Sequence, residues 1–94
     1  MVRPSTHPGE ILLEEFVKPY KLTQRQLCDA LGVGIKTISE IYNKKRGISP
    51  VMALKLANFF GTTPEFWLSA QNAYDLYVAY QSKKQEIDEI KKIA

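Results

Sequence analysis

Lys36, Thr37, Ser39, Glu40, Asn43 and Lys44 crowd ammonium, hydroxyl, carboxylate and carboxamide groups into one short stretch. Successive residues of an α-helix turn by about 100°. With Ile38 pointing inward, Ile41 and Tyr42 stay near it and Ile35 leans the same way. Lys36, Glu40, Asn43 and Lys44 then face outward, with Thr37 and Ser39 on the flanks. Side chains of this length and polarity match the base edges of a DNA major groove: Asn pairs with adenine, Lys with guanine, and Glu with the cytosine amino group. An ordinary solvated helix face would carry similar residues, so this pattern does not decide the matter alone.

Charge placement adds to it. The full chain of 94 residues has a net charge of +3, and the excess is local. Residues 33–55 hold Lys36, Lys44, Lys45, Arg46 and Lys55 against Glu40 alone, while the flanking segments nearly cancel. Lys45 and Arg46 follow the polar stretch directly and are expected to grip phosphates. Gln24 opens the preceding helix, where backbone amides and its own carboxamide can hold a phosphate oxygen. Glu40 is the discordant residue, because a carboxylate facing phosphates costs affinity unless it reads a cytosine or pairs with a neighbouring lysine.

The elements that position these groups are readable from caps and stops. His7-Pro8-Gly9-Glu10 starts a first helix with the stripe Ile11, Leu12 and Phe16, ended by Pro19. Thr23 and Gln26 form a capping box for a second helix reaching about Leu31. Gly32 supplies the left-handed residue of the turn. Gly34 caps a third helix running to about Lys45. Ser49-Pro50 and Thr63-Pro64 start a fourth and a fifth, with Gly61 between them. Two short helices joined at Gly32, with Leu27, Leu31, Ile38 and Ile41 at helical spacing, make a helix-turn-helix over residues 23–46. No strand alternation occurs, so an all-α fold is expected.

The fifth helix could run almost to the C-terminus. Phe66, Trp67, Tyr74, Tyr77 and Tyr80 give it more apolar area than a small domain hides on one helix, which assigns these five residues to a dimer interface. A two-fold dimer would set its recognition helices about 34–36 Å apart and demand an inverted-repeat operator. Residues 1–80 make the DNA-binding domain, and residues 81–94 a charged tail, either a helical extension or a frayed end.

Composition narrows the remaining classes. The apolar fraction of 45% supports a compact core. Cys28 is the single cysteine, so no intrachain disulfide forms, and it is expected as a packed thiol. His7 stands at a helix start without a catalytic partner set. No phosphate loop, metal-ligand set or paired carboxylates occur, so neither enzyme activity, a cofactor nor a metal is expected. No run of apolar residues approaches membrane-spanning length and Met1 to Thr6 has no signal-like core, which gives a cytoplasmic location as the default, with no membrane partner.

Residues Leu22 to Gly47 resemble the Cro/cI (XRE) repressor helix-turn-helix, which implies a five-helix lambda-repressor-like domain with a C-terminal dimerisation helix. A wider set narrows the likeness: His7-Pro8-Gly9-Glu10-Ile11-Leu12, Thr37-Ile38-Ser39, Lys45-Arg46-Gly47-Ile48-Ser49-Pro50, Ala53-Leu54, Gly61 to Leu68, and Ala73-Tyr74-Asp75-Leu76. These resemble the HigA antitoxins, including virulence-associated protein I, over roughly residues 7 to 77. The resemblance implies a homodimer that represses its own operon and neutralises a small basic toxin, a HigB-like mRNA interferase. Cys28 departs from the family's usual alanine, Gly34 from its serine cap, and Ile35 from a polar residue; Ile35 can meet a thymine methyl. Two other readings stay open: a stand-alone regulator without a toxin, and a protein-binding module that no longer binds DNA.

Overall fold

The computed structural model describes residues 4–93, which form helices and no strand. The first helix, α1, is Pro8–Ile11, and it widens directly into a π-helical segment, Leu12–Val17. Then follow α2 (Gln24–Leu31), α3 (Ile35–Tyr42), α4 (Pro50–Phe60) and α5 (Pro64–Asp88). The all-α, five-helix reading of the sequence holds. The π segment was not anticipated. Pro19 has no N–H to give Glu15, and Lys18 instead donates to the Leu13 carbonyl at 3.0 Å, five residues back.

The start signals act as the residue types dictate. Thr23 accepts from the Gln26 N–H at 3.0 Å while Gln26 accepts from the Thr23 N–H at 2.8 Å. Ser49 and Thr63 each cap by accepting from the residue three positions on, ahead of their prolines. Gly34 stands at the N-cap of α3 with no side chain to offer. The stops use left-handed residues: Gly32 (φ 68°) and Gly61 (φ 72°), but equally Lys21 (φ 57°) and Lys44 (φ 62°).

The helices close over one core. Leu12, Leu27, Ile38, Ile41, Leu56 and Trp67 are all fully buried, and each such side chain stabilises the fold by roughly 1.5–3 kcal/mol relative to exposure. Cys28 is buried among them, as expected. Burial, followed by nearby Asp29, pushes its thiol up, away from the reactive thiolate.

Trp67 corrects the dimer assignment. Its ring is 0% exposed, packs on Phe16 and Phe66 at 5.0 Å, and donates through Nε1 to Thr62 Oγ1 at 2.8 Å. A side chain with no accessible surface in the single chain has nothing to give a partner; its angular position on α5 faces the π-helical segment at Phe16 and α4 at Phe60. Phe66 remains 42% exposed and Tyr77 and Tyr80 half-buried. Tyr74 spends part of its ring on His7, with centroids 4.8 Å apart. The helix continues past residue 80, departs from helical geometry at Lys83, and ends at Asp88, whose carboxylate accepts from the Tyr80 hydroxyl at 2.7 Å.

Candidate nucleic-acid interface

The polar face of the sequence is carried by α3 and the loop that follows. Ile38 and Ile41 are fully buried and Tyr42 is half-buried, its hydroxyl pushed up to about 12 by burial. This inner face turns Lys36, Thr37, Ser39 and Glu40 to the other side, where Lys36 is exposed and the other three half-exposed. Ile35 does not lean inward as expected; it is 45% exposed. As the first residue of α3 it precedes the turn that meets the core, so its side chain joins the outward face.

The helix is also shorter than the sequence suggested. Asn43 sits at its C-cap (φ −89°, ψ 10°) and Lys44 is left-handed, so neither lies on the helical face itself. The reversal is held by two backbone bonds, Lys44 N–H to the Ile41 carbonyl at 3.2 Å and Lys45 N–H to the Glu40 carbonyl at 2.8 Å. This is the Schellman pattern, with lysine where glycine is the usual choice. The reversal swings Lys44, Lys45 and Arg46 out as one exposed cationic loop at the end of α3.

Glu40 has a partner, and it is an arginine. Arg46 donates from Nε at 3.0 Å and from Nη2 at 2.8 Å to Glu40 Oε1. These bonds and the guanidinium charge hold the carboxyl below the usual carboxylate range. The pair cancels the one negative charge of residues 33–55, leaving Lys36, Lys44, Lys45 and Lys55 as the uncompensated cations there. Asn43 Nδ2 reaches Ser39 Oγ at 3.5 Å, at the limit of a hydrogen bond.

Gln24, the first residue of α2, donates from Nε2 to the Ile35 carbonyl at 3.2 Å. It thereby ties the start of α2 to the start of α3, and both N-termini come to one side. Behind them, His7 closes α1: its Nδ1 accepts the Gly9 N–H at 2.9 Å, while the ring is 3% exposed. Gly9 lies so close to the Ile41 carbonyl that a Cβ would overlap it. The first helix is therefore pressed onto the end of α3 by a glycine that only a bare backbone can replace.

Gln71 of α5, important to this geometry, was not singled out from the sequence, and Asp75 was read there only as part of the Ala73–Leu76 motif, without a role of its own. Gln71 accepts the Ile48 N–H at 2.8 Å and donates to Asp75 at 2.8 Å. Their i, i+4 spacing on a long helix was the available signal. Among the described residues no group of three or more His, Cys, Asp or Glu side chains is placed to hold a metal, and no helix is long and apolar enough to cross a membrane.

Comparison with known proteins places this geometry among relatives. The Helix-turn-helix family (HTH_3) matches residues 13–67. Virulence-associated protein I of Dichelobacter nodosus is 46% identical over 81 residues, covering 86% of this chain and 75% of that protein. The antitoxin HigA of Pseudomonas aeruginosa, solved with the higBA promoter, superposes with a TM-score of 0.90 at 38% identity, over 98% of this chain and 100% of that one. An addiction module antidote protein of the HigA family from Coxiella burnetii gives a TM-score of 0.88 at 41% identity, over 96% and 99% of the two chains.

Proposed function

The chain belongs to the helix-turn-helix family and, within it, to the HigA antitoxins, and from that footing we propose that it is a promoter-binding autorepressor that also binds and neutralises a small basic mRNA-interferase toxin. The observation that carries the DNA half is the outward face of α3 running straight into an exposed cationic loop. In this reading Lys36, Thr37, Ser39 and Asn43 meet base edges, and Ile35 meets a thymine methyl. Lys44 and Lys45 reach the phosphates beside the groove. Arg46, with Nε and Nη2 on Glu40, offers its free edge to a phosphate, so Glu40 orients a cation instead of reading a base. Gln24 and the open amides at the start of α2 take a second phosphate.

The protein acts as a homodimer through Phe66, Tyr77 and Tyr80 of α5 on an inverted-repeat operator, in the cytoplasm where that DNA lies. Its work is binding, not catalysis. The toxin half rests on kinship with named antitoxins.

The direct test measures binding to a duplex spanning the chain's own promoter and to a scrambled duplex. Asn43→Ala is expected to cost about 1–3 kcal/mol on the promoter and little on the scrambled DNA. Equal loss on both would move Asn43 to phosphate positioning. Co-expression with the product of the adjacent gene should rescue growth and yield a co-purifying pair; no binding between the two would leave the repressor reading alone.

A further inference from the structure

The two outer motifs of the sequence, His7 to Glu10 and Ala73 to Leu76, lie far apart in the chain and outside the helix-turn-helix. The fold nevertheless brings both to the ends of the loop that carries Asn43, Lys44, Lys45 and Arg46. At the loop's beginning, Tyr74 stacks edge-on against His7, His7 caps Gly9, and Gly9 lies on the Ile41 carbonyl. At its end, Ile48 is buried and its N–H is received by Gln71 Oε1 at 2.8 Å. Gly47 allows this: a Cβ there would stand 2.9 Å from Gln71 Cδ and Oε1.

We propose that Gln71 is a positioning residue for DNA binding, holding the cationic loop 43–47 in the register its phosphate contacts need. The inference rests on the DNA-binding reading given above.

The orientation of the carboxamide is not arbitrary. A carboxylate only accepts, so Asp75 takes the Nε2 donor at 2.8 Å, and Oε1 is turned to the Ile48 amide. Among the described residues, the loop's own exposed side chains are held only by the Glu40–Arg46 pair and by the long contact of Asn43 with Ser39 at 3.5 Å. Its exit is therefore set from α5, by one carboxamide locked between one donor and one acceptor. Loss of that lock leaves the helices and their core in place and frees the loop to sample other registers, which an electrostatic contact to a spaced row of phosphates punishes.

Reversing the polarity of the pair provides the test. Gln71→Glu keeps an acceptor for Ile48 but sets a carboxylate against Asp75. Gln71→Glu combined with Asp75→Asn restores a complementary pair at the wild-type net charge. Asn72→Asp, an exposed neighbour, adds the same charge without touching the lock. Each protein is titrated against a duplex that the wild-type chain selects from a random library, and against a scrambled duplex. Fold is checked by circular dichroism and dimerisation by sedimentation.

Gln71→Glu is expected to lose about tenfold or more on the selected duplex, with a smaller loss on the scrambled one. Asn72→Asp should lose only a few-fold on both, and the double variant should return to within about threefold of wild type. Should Gln71→Glu not fold, Gln71→Met, which keeps the length without the acceptor, is measured in its place with the same loss expected. A Gln71 variant that binds like Asn72→Asp, or a folded double variant that stays as weak as the single, overturns the proposal. A wild-type chain that selects no sequence at all overturns the DNA-binding reading first, and this inference with it.

Discussion

Helices α3 and α5 solve opposite problems. The recognition helix spans Ile35–Tyr42, lacks a side-chain cap at Gly34, and ends on a left-handed lysine. An isolated helix of that length is unstable in water; α3 exists because Ile38 and Ile41 are fully buried and because Gln24 bonds at its start and Gly9 packs at its end, while Gln71 of α5 holds the loop beyond it at Ile48. The long helix spans Pro64–Asp88 and is capped by Thr63. Its first three turns seat on the core through Trp67, while Leu76, Val78 and Ile87 stay 42–53% exposed. The molecule is accordingly drawn out, with extents of 50 × 23 × 21 Å. One helix borrows its order from the chain, and the other has apolar surface left to lend.

The largest expected effect breaks the comparison at α5. If its surplus surface serves a second copy, Tyr77→Glu places a charge in that contact and yields a monomer in sedimentation equilibrium. Affinity for an inverted repeat then falls by about 100-fold or more, because the second half-site loses its tether. Affinity for an isolated half-site stays near the wild-type value. A Tyr77→Glu protein that remains a full dimer would shift the interface to another face of the helix.

A smaller effect sharpens the comparison at α3. Glu40→Gln removes the anion that Arg46 embraces and leaves the segment with one more uncompensated cation. The slope of log affinity against log salt should steepen by about one unit, with the gain appearing on scrambled DNA as well as on the operator. An unchanged slope would show that the Glu40–Arg46 pair does not alter how many phosphates the loop neutralises.

Much of this was legible in the residues, for definite reasons. Thr23 with Gln26, Ser49-Pro50, Thr63-Pro64, Gly32 and Gly61 are local devices: the groups that satisfy each helix end lie within a few residues, so sequence spacing suffices. The outward face of Lys36, Thr37, Ser39 and Glu40 followed from helical period alone. The features that escaped depend on distant groups. Lys21 and Lys44 take left-handed conformations that residue type disfavours, and only the packed loops around them select that state. Trp67 reads as one more aromatic on a crowded face until the π-helical segment and α4 are set against it. Glu40 and Arg46 meet across the reversal at Lys44, which shortens α3 and was itself hidden. Gln71 touches Ile48 from 23 positions away.

The smallest expected effect is a pH dependence, and it tests how α3 borrows its order from α1. His7 Nδ1 accepts the Gly9 N–H, so the ring must be neutral in the fold, with its proton on Nε2. Protonation at Nδ1 would replace the accepted bond with a clash of two donors, and burial, with Lys44 behind it, lowers the pKa below the ordinary 6.5, against the opposing pull of Asp75. A histidine neutral in the folded chain but free to charge in the unfolded one binds fewer protons when folded. Stability is therefore full above about pH 6.5 and declines as pH falls below it. Glu40, held low by Arg46, adds its own loss only below about 4.5, so the two windows separate. Urea midpoints measured from pH 7.5 to 5 should fall for the wild type and stay flatter for His7→Asn, whose Oδ1 can accept the same N–H without titrating. Parallel curves for the two proteins would show that the cap on α1, and with it the support under Ile41, does not answer to pH.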